Sequence, residues 1–125
     1  MTRDEINAWA TAYIEAHKDP NLRKGDHPLW WAVEHFMNMG RDVSPRDCWA
    51  AILEILSREP TDEALGILAA GPLEDLINHH GPEFIERIEL ESRRNKAFRH
   101  LLGGVWKSST PEIWARVQKA QGDLW

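Results

Sequence analysis

An all-α fold is predicted for this 125-residue chain by three observations. Apolar residues recur at three- and four-residue spacing along most of its length, the signature of helices with one buried stripe. Serine, threonine and proline stand where such runs begin, and glycine stands where several end. No segment shows the strict alternation of a half-buried strand. Together they predict one helical domain over 1–125, a compact bundle of seven or eight short helices. A HEAT-like stack is the alternative arrangement, although no internal repeat is visible.

The first helix opens at Thr2 with Glu5 three residues on, the spacing of a capping box. Ile6, Trp9, Ala10, Tyr13 and Ile14 form its apolar stripe. Asp19-Pro20 and Gly25 mark a loop. A second helix begins near Pro28, with Leu29, Trp30, Val33, Phe36 and Met37 on one side, and stops at Gly40. Ser44-Pro45 starts a third, with Asp47 completing a capping box. That helix is apolar nearly all round, from Cys48 to Leu56, and belongs in the middle of the fold.

Thr61 caps a short fourth helix, which Gly71-Pro72 is expected to interrupt. A fifth is expected from Leu73 to His80, a sixth to restart at Pro82 after Gly81, and a seventh to carry Phe98, Leu101, Leu102, Val105 and Trp106. Gly103-Gly104 in that last run either breaks it or admits a close backbone. Thr110-Pro111-Glu112 opens a final helix that buries Ile113, Trp114 and Val117.

Seven tryptophans point to a tryptophan-rich core or to exposed anchors at an interface. Cys48 is the single cysteine, so a reducing, cytoplasmic setting is expected, with no internal disulfide. The first residues lack the continuous apolar run of a signal peptide or membrane anchor. Net charge is −5 and unevenly spread. Residues 1–86 hold 16 acidic and 7 basic side chains, whereas 87–125 hold 4 and 8. Such polarity either steers a charged partner or reflects oppositely charged helices lying side by side.

The densest polar cluster is Glu74-Asp75 with His79-His80. Asp75 and His79 are four apart and adjoin on a helix, so the carboxylate could orient the imidazole as a base or share a metal with it. The simpler reading makes them a surface pair and His80 a buried, hydrogen-bonded histidine. Glu34-His35 could join the site, but the helical angle of His35 points it away from its own apolar stripe. No zinc-site spacing is present, so no metal and no cofactor are expected. Cys48 lies in apolar surroundings where a thiol is inert. Arg87, Arg93, Arg94, Lys96, Arg99 and Lys107 could contact phosphate, yet Glu89 and Glu91 interleave, so a solvated helix face is the expectation and nucleic acid is not an expected partner.

Ala69-Ala70-Gly71-Pro72-Leu73-Glu74-Asp75-Leu76, His80-Gly81 and the run from Phe98 to Trp106 carry a resemblance. This second half of the chain resembles a family of small bacterial proteins known only as a domain of unknown function. The resemblance implies a bacterial or phage origin, a helical fold and no particular activity. A site in that family would fall on Glu74, Asp75, His80 and Trp106.

The leading functional expectation is a small acidic protein-binding module, such as an immunity protein or a phage-encoded inhibitor of a defence or toxin protein. Its binding candidates are Glu74, Asp75, His79, His80 and Trp106. A His/carboxylate or metal-dependent enzyme is the alternative, with an oligomeric adaptor third. A protein partner or a second copy is expected, and a membrane is not.

Overall fold

The computed structural model describes residues 1–24 and 26–122; Gly25, expected in the first loop, and Trp125 lie outside the described residues. Seven α-helical segments follow one another: α1 (Arg3–Lys18), α2 (Trp30–Met37), α3 (Pro45–Ser57), α4 (Asp62–Leu68), α5 (Glu74–Arg94), α6 (Lys96–Leu102) and α7 (Pro111–Ala120). Among the described residues there is no strand, only an isolated bridge between Met39 and Val43. The chain divides into two compact units, Met1–Ala64 and Leu65–Trp125.

In the first unit, α1 packs on both α2 and α3. Its N-terminus carries the full capping box: Thr2 accepts from the Glu5 N–H, and Glu5 accepts from the Thr2 N–H. Ser44 caps α3, but Asp47 does not close the expected second box. Its carboxylate instead meets the N-terminal amine of Met1 at 3.3 Å. The core is aromatic. Trp9 is fully buried, stacks on Phe36 at 4.5 Å and donates its indole N–H to the Ala32 carbonyl at 2.8 Å. That bond removes the polar cost of burying the ring.

The stripe expected on α2 is corrected by one residue's rotation. Ala32 and Phe36 are the buried positions, and Met37 is exposed. His35, expected to face away, is half-buried, edge-on between Trp9 (5.2 Å) and Trp31 (5.1 Å). The helix starts at Trp30 rather than Pro28, which turns the eight-residue stripe.

In the second unit, α5 packs on α6 and α7 around an aliphatic core that includes Leu73, Leu76, Ile77, Ile88, Leu101 and Val117. Of the two expected breaks, the one at Gly71-Pro72 is corrected, whereas the one at Gly81-Pro82 is present as a kink. At Pro72 the backbone widens into a π turn, Ala69–Leu73, and continues. Proline has no N–H and its ring collides with the carbonyl four residues back, so a wider turn admits it where an α turn would not. The Glu74 N–H accordingly reaches back five residues to the Ala69 carbonyl. At Pro82 the adjustment falls on His80, whose φ of −135° is the only non-helical value inside α5. Counted across the π turn and the His80 kink, six helical bodies stand among the described residues where seven or eight were expected. Their unequal lengths, from 7 to 21 residues, show no recurring helix pair of the kind a HEAT-like solenoid stacks.

The tryptophans are not the core the composition suggested. Trp9 and Trp114 are buried, Trp30 and Trp49 are half-buried, and Trp31 and Trp106 are exposed.

Candidate functional site

The candidate residues of the second unit gather around one loop, 103–110, that joins α6 to α7. Gly103-Gly104 ends α6, and Val105 turns inward to be buried. Trp106 then turns outward, 77% exposed, the most exposed large apolar side chain among those described. Two residues one turn apart on α5 hold this loop. Glu74 Oε1 accepts from the Trp106 N–H at 3.1 Å, and Asn78 Oδ1 accepts from the Ser109 N–H at 3.1 Å. Ser109 has φ +66°, a conformation unfavourable for a side-chain-bearing residue, and the Asn78 bond helps fix it. Thr110 then caps α7 by accepting from the Ile113 N–H.

Gly81 completes the arrangement. A Cβ at this position would stand 2.9 Å from both Ile113 Cγ2 and Ser109 Oγ, so only glycine lets the start of α7 approach α5 this closely. The Glu74, Asn78 and Gly81 positions thus face one loop from successive turns of one helix. Asn78 and Ser109 were missed in the sequence reading. The available signal was the four-residue spacing between Glu74 and Asn78, which places both on one side of a helix.

Asp75 and His79 lie beside this row and are exposed. Crowding by neighbouring protein atoms raises the Asp75 carboxyl above its ordinary range, and His79 opposes that shift electrostatically. His80 is half-buried at the kink instead of fully buried. Of the expected candidates, Glu74 is thus brought to the Trp106 backbone, and Asp75 is coupled to His79. Glu34 and His35 belong to the first unit, where they line a cavity with Met1, Trp31, Asn38 and Asp42. Among the described residues no group of three or more His, Cys, Asp or Glu is placed to hold a metal ion. Burial, reinforced by the Asp47 carboxylate, pushes the Cys48 thiol up to about 12, so it stays protonated and unreactive.

The basic residues singled out from the sequence separate into different roles. Arg94 is taken up by Glu91 at 2.9 Å, and Arg87 lies over the Phe84 ring at 5.1 Å. Lys96 and Lys107 are exposed. Arg93 and Arg99 line a groove with Arg116 and Lys119. No helix is long and apolar enough to cross a membrane among the described residues.

A family model described as a family of unknown function, DUF6869, matches residues 17–124. The chain belongs to DUF6869. The match reaches well beyond the second half that carried the resemblance, and takes in most of the first unit. No curated protein and no solved structure matches this DUF6869 chain.

Proposed function

We propose that this DUF6869 protein is a protein-binding module whose main anchor is Trp106. The observation that carries the reading is a large aromatic side chain, 77% exposed, on a loop whose backbone is held at Trp106 and Ser109 by Glu74 and Asn78. An exposed tryptophan on a held backbone loses little entropy when it docks, and tryptophan dominates interface hot spots. The partner surface that suits it has an apolar pocket beside basic groups, because Glu74 sets a carboxylate beside the anchor. The specific form proposed is an inhibitor or immunity-type module acting on a basic protein, in keeping with the net charge of −5.

The test is affinity capture with the tagged protein, its Trp106→Ala variant and a Trp31→Ala variant, all checked for native helicity by circular dichroism. Trp31 is the control because it is the other exposed tryptophan among the described residues. The expected result is one stoichiometric protein retained by wild type and Trp31→Ala and lost by Trp106→Ala, a weakening on the order of 2 kcal/mol or more. An identical set of captured proteins for all three would sink the reading.

A further inference from the structure

A second feature of the Leu65–Trp125 unit is independent of Trp106. A groove of about 390 Å³ is lined by Glu89, Ser92, Arg93, Arg99, Arg116, Lys119, Ala120 and Gln121. Four cationic side chains thus come together from α5, α6 and α7, although they are spread over 27 positions of sequence. A single carboxylate among the lining residues, that of Glu89, answers them, and its geometry commits it to one of the four. Its two oxygens take the guanidinium of Arg116 at 2.5 and 3.0 Å, a two-pronged pair that fixes Arg116 in place. The Arg116 hydrogen bonds hold the Glu89 carboxyl below the usual range, and Arg93 and Lys119, which line the same groove, add to this more weakly. Arg93, Arg99 and Lys119 have no carboxylate partner of their own among the described residues. The Gln121 amide lines the same groove, and its buried oxygen has no hydrogen-bond partner there. Turned over, that amide offers an N–H₂ to an anion.

The geometry points to a binding site for a small ligand with a diphosphate or comparable polyphosphoryl group, free or as the phosphates of a nucleotide. Three cations without a carboxylate ion pair among the described residues match a group carrying several negative charges better than a single carboxylate, and guanidinium forks fit phosphoryl oxygens. The volume is that of a small-molecule site. A nucleic-acid strand fits less well, because it needs a continuous basic track. Glu83 and Glu86 are exposed on the preceding turns of α5, and Arg94 is already occupied by Glu91.

Isothermal titration at low salt with inorganic pyrophosphate, ADP, orthophosphate and citrate tests the assignment on the full chain. Pyrophosphate is expected to bind one to one, at least about tenfold tighter than orthophosphate or citrate. Arg93→Gln and Lys119→Gln, both at exposed positions with no ion pair among the described residues, are each expected to weaken pyrophosphate on the order of tenfold. Their circular dichroism should be unchanged. Lys96→Gln removes an equal charge outside the groove and should leave binding as it was. Tighter binding of ADP than of pyrophosphate would assign the site to nucleotides, and weaker binding to the diphosphate alone; either supports it. Absence of pyrophosphate binding, citrate binding as tightly, or an equal loss in Lys96→Gln would overturn it, the last by showing diffuse attraction rather than a site.

Discussion

Trp9 and Trp106 are the same residue type put to opposite uses. Trp9 is fully buried in the first unit, with its indole N–H bonded to the Ala32 carbonyl and its ring against Phe36. Trp106 in the second unit is exposed, and it is its backbone that is held, by Glu74. The first ring contributes to stability, whereas the second contributes little and stands available. The difference shows why a count of tryptophans cannot distinguish core from surface. What decides is whether the ring lies on a helix stripe or on a loop.

The comparison is broken most severely at Trp9. Trp9→Ala is expected to cost about 3–5 kcal/mol in chemical denaturation, since it opens a cavity and removes the indole bond to the Ala32 carbonyl. Trp106→Ala should shift the same curve by no more than about 0.5 kcal/mol. A comparable loss at both sites would make Trp106 structural and remove the basis of the proposed anchor.

The next effect is expected at Gly81. Gly81→Ala should destabilise by about 1–3 kcal/mol, because Ile113 and Ser109 must both give way to the new methyl. Unchanged or raised stability would mean that the gain in helix propensity outweighs the collision. Smaller still, Glu74→Ala and Asn78→Ala should each cost about 0.5–1 kcal/mol. Their more specific effect is faster hydrogen exchange at the Trp106 and Ser109 amides, with the helices unaltered.

The smallest effect is one of pH. Hydrogen bonding to Arg58, with the nearby Arg3 charge adding to it, holds the Glu54 carboxyl below its ordinary 4.5. Arg116 does the same for Glu89. Carboxyls lowered on folding stabilise the native state fully above their unfolded value. That stabilisation is lost as pH falls below about 4.5 through the folded values. Glu54→Gln and Glu89→Gln should each flatten the acid side of the stability profile and leave its shape above pH 6 unaltered. A profile of wild-type slope in both variants would contradict these pairings.

The parts of the fold governed by local chemistry were legible in the sequence. Thr2, Ser44, Thr61 and Thr110 all cap where expected; the stop expected at Gly40 comes earlier, at Asn38, and Gly40 with φ +82° shapes the turn that follows. Reading Pro72 as a helix break failed because a π turn absorbs that proline, whereas the break read at Gly81-Pro82 is present as the kink at His80. Part of the candidate site was legible too: Asp75 and His79, four residues apart, act on one another electrostatically. The meeting of Glu74 with the Trp106 backbone was not, because Glu74 acts on a backbone N–H 32 residues away and Asn78 on another 31 away. The groove was hidden for a related reason. Arg93 and Arg99 could be seen as a basic run, but Arg116 and Lys119 join them only once α7 lies beside α5.

The central claim, that Trp106 is the docking anchor, is tested most directly by photo-crosslinking in living cells. A photoreactive phenylalanine analogue would replace Trp106 in one strain and Trp31 in another. The expected result is one dominant crosslinked protein from position 106 and none of comparable yield from position 31. Equal crosslinking from both positions, or none from 106, would contradict the account.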